Sequence, residues 1–273
     1  MPTGHQAVPP SPPHNEHTSL RFLQWQDIYR TEYPFVCVAP SPSGERHTNI
    51  VVQTHPDIEI EDVRGRESEF TLDANGFRYF HTSDLGQFLD FDSKEAIEKD
   101  FLPAIEKLVK QEVNNVGRTF IFDWRLRRAD FAAQIVNTKD RHQYLPPSST
   151  VHVDQTPGEL LRRLNKFLGP ELGTLLNGRF RVINLWRPLY HIVTDRPLAV
   201  CDGSKVNPSD LVAGKIISQS ETRETYYLMH HHAQKWYYLS RQKPDEMLMI
   251  KIFDSDSTVP AIFEDTPHLE NDK

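Results

Sequence analysis

The 273-residue chain carries 38 acidic and 31 basic side chains, a formal net charge of -7. That balance excludes an overall electrostatic pull toward nucleic acid or an anionic membrane surface. Two cysteines, Cys37 and Cys201, are too few for a disulfide framework or a cysteine zinc site, and they read as two buried thiols in a reducing compartment. With 38% hydrophobic and 10% aromatic residues the composition is that of a globular chain with a sizeable core. No run approaches the roughly 18 apolar residues of a membrane span. The N-terminus lacks the basic-then-apolar layout of a secretion signal, so a cytoplasmic address is expected.

The first 18 residues hold Pro2, Pro9, Pro10, Pro12 and Pro13 with few apolar side chains, and are expected to form a flexible tail. Residues 19–273 show no second low-complexity stretch and are expected to form one domain. Short β-prone runs stand at 35–38, 49–53 and 69–72. Asp73-Ala-Asn-Gly76 reads as a turn closing a hairpin between 71–72 and 77–80. Ser93 is placed to cap a helix over about 94–113, with Pro103 near a break or kink. Thr156-Pro157-Gly158-Glu159 is a sharper helix start, with Thr156 as N-cap, Pro157 at the first helical position and Glu159 closing a capping box. The apolar stripe Leu160, Leu161, Leu164, Phe167 and Leu168 then runs to a stop at Gly169. After Gly178 the runs 180–187, 198–201, 215–218, 224–229, 235–240 and 247–253 are short, aromatic or β-branched, spaced as in a sandwich or jelly roll. The expected fold is mainly β with flanking α-helices.

His152-Val153-Asp154 carries the chemistry. In a strand, residues two apart project to one face, so imidazole and carboxylate can reach one divalent metal. Two histidines and a carboxylate on one side of iron leave positions open for a 2-oxo acid and dioxygen. The plainer reading is a surface histidine beside an acid favoured by the dipole of the helix that begins at Thr156.

The chain resembles the fungal asaB hydroxylase/desaturase family, which includes gibberellin-desaturase-like enzymes and resembles the cephamycin methoxylation protein CmcJ. The resemblance covers about 36–265. It rests on Asp62-Val-Arg-Gly65, Phe70-Thr-Leu-Asp-Ala-Asn-Gly-Phe77, Val151-His-Val-Asp-Gln-Thr156, Val182-Ile-Asn-Leu-Trp-Arg-Pro-Leu189, Pro197-Leu-Ala-Val-Cys-Asp202, Trp236-Tyr-Tyr-Leu239 and Pro244-Asp-Glu-Met-Leu-Met-Ile-Lys-Ile-Phe-Asp-Ser255. The resemblance implies a double-stranded β-helix (a cupin-like jelly roll) and iron(II) held by His152 and Asp154. It further implies oxidation of a small secondary metabolite with 2-oxoglutarate and oxygen.

The family pattern continues with a Pro-His-x-Ala-Phe-like segment bearing the distal histidine, then an arginine-rich strand. Here the chain reads Thr258-Val-Pro-Ala-Ile-Phe-Glu-Asp-Thr-Pro-His268 and departs from that pattern. Aligned on Pro260-Ala-Ile-Phe263 the histidine is missing; aligned on Thr266-Pro267-His268, His268 is the third ligand. His230, His231 and His232 fall in an expected hairpin turn and reach a metal only if that turn folds over it. Arg187, whose fork matches a carboxylate, is expected to grip the 2-oxo acid or else to form a core-edge ion pair; Arg181 is the weaker alternative. Trp236, Tyr237 and Tyr238 are expected in the β core, with Trp236 and Tyr238 the choices for lining a substrate pocket. The expected partner is a small molecule. A second reading keeps the fold but replaces oxidation by a cyclase, isomerase or dehydratase reaction, with His152 as general base and Asp154 orienting it, or by no catalysis.

Overall fold

A computed structural model describes residues 14–38, 46–82, 85, 90–128, 130, 140–218 and 221–259. The strands within them are β1 (Glu16–Leu23), β2 (Phe35–Cys37), β3 (Val52–Asp62), β4 (Phe77–His81), β5 (Leu126–Arg127), β6 (Tyr144–Leu145), β7 (His152–Val153), β8 (Arg181–Trp186), β9 (Val200–Cys201), β10 (Leu211–Ile217), β11 (Thr222–Leu228), β12 (Trp236–Tyr238) and β13 (Glu246–Asp254). They form sheets ordered β1-β3-β12-β9, β2-β10-β11-β7 and β4-β13-β8, with a short parallel β5-β6 pair. The architecture is mainly β with few helices.

The core lies between the sheets. Phe22, Ile60, Trp236 and Tyr238 of the first sheet pack with Leu228 of the second. Val153 of the second meets Val182, Ile252 and Phe253 of the third. Phe77, Tyr79 and Leu248 of the third close on Val63, Val200 and Tyr237 of the first. On the outer side of the third sheet, Ile105 and Val113 cover Phe80, Met247 and Met249. β13 is therefore buried on both sides, which explains its nearly unbroken apolar sequence. Its one cation, Lys251, is fully buried and is satisfied by Asp254 at 2.9 Å.

Two of the sequence blocks meet here. Asp62 accepts from the backbone N–H groups of Arg64 and Ser240, both at 3.0 Å, and the Arg64 guanidinium pairs with the buried Glu246 carboxylate, Nη2 to Oε2 at 3.0 Å.

Several local expectations change. The N-terminal tail was expected through residue 18, but β1 begins at Glu16, because its backbone N–H and C=O groups pair along the edge of β3. Asp73-Ala-Asn-Gly76 does not turn a hairpin. Leu72–Asn75 is one helical turn, capped by Thr71 and closed by Gly76 at φ +78°, and β4 pairs with β13 instead. The helix over 94–112 passes through Pro103 without breaking. Its turn at Ile97–Phe101 widens to π geometry just before the proline, which makes room for a ring with no N–H to donate. At Pro157–Leu168 the Thr156 hydroxyl accepts from Glu159 N at 3.1 Å, as the cap requires. The Glu159 carboxylate does not complete the box; it binds Arg162 and Arg163 at 2.8 and 3.0 Å. Finally, His230 to His232 do not turn a hairpin, since β11 pairs with β10 and β7 while β12 crosses to β3 and β9.

Candidate metal centre

β7 is only two residues long and sits at the edge of its sheet, His152 opposite Tyr227 and Val153 opposite Tyr226 on β11. The Thr225 hydroxyl donates to the Val153 carbonyl at 2.6 Å, and Val153 itself is buried. That anchor fixes the backbone between the two functional side chains. His152 Nε2 lies 3.1 Å from Asp154 Oδ1, so the two converge as the strand period demands.

Each partner is held from behind. His152 Nδ1 lies 2.9 Å from the Thr150 carbonyl, a contact that places the proton on Nδ1 and leaves Nε2 as the electron-pair donor. The Ser148 hydroxyl stands 3.3 Å from the same nitrogen. Asp154 Oδ2 accepts from the Asn184 amide of β8, so the carboxylate is steadied by the opposing sheet. The side chains of His152 and Asp154 remain 31% and 43% exposed, open enough to admit a ligand.

The charges are coupled. Burial opposes ionisation of His152, but the Asp154 contact and the Thr150 carbonyl outweigh it and raise the imidazole above its ordinary value. Burial likewise works against the Asp154 carboxylate, yet His152 and Asn184 hold it below the usual range. Each partner thus favours the charged form of the other, and a cation can take the place of a proton shared between them.

The donor set suits a transition metal. Two ligands at right angles with bonds of about 2.1 Å stand about 3 Å apart, and 3.1 Å is the separation found. Among the described residues no third histidine, cysteine, aspartate or glutamate joins them to make a three-ligand group. His268 lies outside the described residues.

The other expected site residues are elsewhere. Arg187 is buried on the helix-covered face: Nη1 donates to the Leu85 carbonyl at 2.7 Å, Nε to Pro188 O, and the guanidinium lies over the rings of Phe91 and Phe101. The reason is parity, because Arg187 is three positions from Asn184 and so leaves the strand on the opposite side. Arg181 follows it, reaching the Asn114 carbonyl at 2.8 Å. Neither grips anything beside His152, which corrects the expectation for Arg187. Trp236 and Tyr238 are core residues, and the Tyr238 hydroxyl donates to the His14 carbonyl at 2.5 Å. His230 stacks on His55 with ring centres 4.0 Å apart, packed against Phe22. Asn184 was not singled out from sequence, although an amide inside the apolar run Val182-Ile-Asn-Leu-Trp186 is the signal that would have found it.

Comparison with known proteins gives concordant results. A family model described as an oxidoreductase/YMDC permease-like domain matches residues 20–269. No described helix is long and apolar enough to cross a membrane. The chain is 31% identical over 249 residues to an Fe(II)/2-oxoglutarate-dependent dioxygenase, nvfI, of Aspergillus novofumigatus, with 89% of this chain and 85% of the relative covered. It is 28% identical to the hydroxylase/desaturase poxK of Penicillium oxalicum, over 92% of this chain and 83% of the relative. Among solved structures, the iron and alpha-ketoglutarate-dependent endoperoxidase NvfI superposes with a TM-score of 0.79 at 29% identity, covering 90% of this chain and 87% of that one.

Proposed function

Because the chain belongs to the fungal family of iron(II)/2-oxoglutarate-dependent dioxygenases and hydroxylase/desaturases, we propose that His152 and Asp154 hold its iron and that a small natural product is oxidised there. The protein is an oxidoreductase of fungal secondary metabolism whose cofactors are Fe(2+) and 2-oxoglutarate. We read the three sheets as one double-stranded β-helix domain that begins with β1 at Glu16, with His268 as the third ligand and the cytoplasm as the place of action. The observation that carries the assignment is the His152–Asp154 approach with Nδ1 committed to Thr150.

Bound iron would supply oxygen activation coupled to decarboxylation of the 2-oxo acid. The protein's own part is positional. Thr150 selects the imidazole tautomer that presents Nε2. Asn184 orients Asp154 so that Oδ1, the oxygen nearest His152, faces the same point. The non-redox alternative, with His152 as a base, has no counterpart among the relatives described above, which are named for iron or for hydroxylation and desaturation.

The test is an anaerobic titration with iron(II) and 2-oxoglutarate, read by the visible charge-transfer band of the chelate. A band that is lost in both H152A and D154A, with succinate released once oxygen and substrate are admitted, is the expected result. Absence of the band in the unaltered protein would overturn the assignment.

A further inference from the structure

Beside the first turns of the helix at Pro157–Leu168, guanidinium groups outnumber carboxylates. Asp123 faces three of them: Arg125 Nη2 at 3.4 Å, Arg141 Nε at 3.4 Å and Arg163 Nη1 at 3.9 Å. Those separations are longer than a close charge-assisted hydrogen bond. Glu159 binds both Arg162 and Arg163, at 2.8 and 3.0 Å. Arg162 also shares Glu221 with Arg223, each at 3.6 Å. Five cations, Arg125, Arg141, Arg162, Arg163 and Arg223, thus divide three carboxylates among them, an excess of two.

Arg223, the second residue of β11, bears most of that imbalance. Its side chain is 20% exposed, and its Nε is buried with no hydrogen-bond partner among the described residues. Burial, then Arg163 and Arg125, push the guanidinium below its ordinary pKa, against the pull of Glu221 and Asp123. A buried cation among cations, with an unused donor, is costly unless further negative charge reaches it. The local sequence explains the gathering. β7 pairs with β11 at Tyr226 and Tyr227, so Arg223 lies beyond the end of that partner. Leu160 and Leu164 pack into the core, and Arg163 projects beside them over the Phe122 ring. Trp124 and Leu126 pack against Phe91 and Ile97, and alternation sends Asp123 and Arg125 the other way.

We infer that Arg223, with Arg125 and Arg163, binds an oxyanion, a phosphate or a carboxylate group, that balances the charge of this cluster. The planar fork of arginine matches both groups, and a phosphate dianion offsets the excess of two cations. Bound there, the anion ties the helix and residues 123–125 to the strand that holds β7. None of these residues is a proposed iron ligand, so the inference stands apart from the proposed function.

Calorimetric titration of the full-length protein with inorganic phosphate, and separately with acetate, at constant ionic strength in chloride, tests it. Saturable phosphate binding that weakens at least about 10-fold in R223M, and also in R125Q at a less buried position, is the expected result. R223K keeps the charge without the fork and should fall between. D154A should bind phosphate as the unaltered protein does, because the metal pair is a different site. Tighter binding of acetate than of phosphate, lost in R223M, would assign the ligand as a carboxylate within the same inference. No saturable binding of either anion, unchanged affinity in folded R223M or R125Q, or loss of phosphate binding in D154A would overturn it.

Discussion

The amide of Asn184 on β8 donates to Oδ2 of Asp154, the residue that follows β7, so the candidate metal centre is held by two different sheets. The sequence separation of 30 residues matters, because neither strand alone can fix the carboxylate. Without the amide, His152 is the hydrogen-bond partner left to Asp154 among the described residues, and it is the group from which the carboxylate must be parted to admit a cation.

N184A is accordingly expected to weaken metal binding about 10- to 100-fold, the usual effect of removing a group that orients a ligand. Manganese(II) titration followed by paramagnetic resonance measures this directly. The far-ultraviolet circular dichroism of N184A should stay that of the unaltered protein, since the lost bond lies at a half-open surface. Equal affinity in both proteins would show that Asn184 does not position Asp154.

Gly214 bears on the same strand pair from behind. A Cβ there would stand 2.6 Å from the Tyr227 ring and 3.1 Å from the Pro34 carbonyl, and Tyr227 is the residue opposite His152. The ring is buried and the carbonyl is backbone, so neither yields cheaply. G214A should cost about 1 to 3 kcal/mol of stability, seen as a lower urea midpoint with unchanged slope. Unaltered stability would mean that Tyr227 swings aside freely.

How much of this was legible in the sequence follows from range. His152 and Asp154 are two apart, and the strand period alone brings them together. The helix over 157–168 was also local, set by Thr156 and Pro157. The hairpin expected at Asp73 to Gly76 failed because the partner of β4 is β13, some 170 residues away, and no local turn signal reports that. Arg187 was misplaced for a different reason: the parity relative to Asn184 was readable, but the cation was weighed above the amide that interrupts the apolar run and marks the inner face.

The buried Lys251–Asp254 pair, joined by the exposed Arg179, gives the acid limb of stability. Burial opposes the Asp254 carboxylate, but Arg179 and Lys251, at 2.6 and 2.9 Å, hold its pKa below the ordinary 3.8. A folded-state value below the unfolded one contributes stability above the unfolded pKa, and that contribution is lost as pH falls through the folded value. Unfolding free energy measured against pH should therefore drop as the medium is acidified below about 4. D254N leaves the fully buried Lys251 without its nearest anion and should lose about 3 to 5 kcal/mol at neutral pH. It should also show a shallower acid decline. A D254N curve parallel to that of the unaltered protein would place the acid sensitivity elsewhere.

Thr156 joins helix stability to the metal centre. Its hydroxyl accepts from Glu159 N at 3.1 Å and donates to Glu224 Oε2 at 2.9 Å, two residues after Asp154 and on the strand that pairs with β7. Valine keeps the volume and the branch but removes both bonds. The cap alone is worth about 1 kcal/mol, and the orphaned Glu224 carboxylate, half-buried beside Gly158, adds to that loss. T156S restores the hydroxyl and should recover most of the stability. If the cap matters to the centre, manganese affinity will fall in T156V and return in T156S in step with the thermal midpoint. Stability lost without any change in metal affinity would show that β7 is held by Thr225 and Asn184 alone.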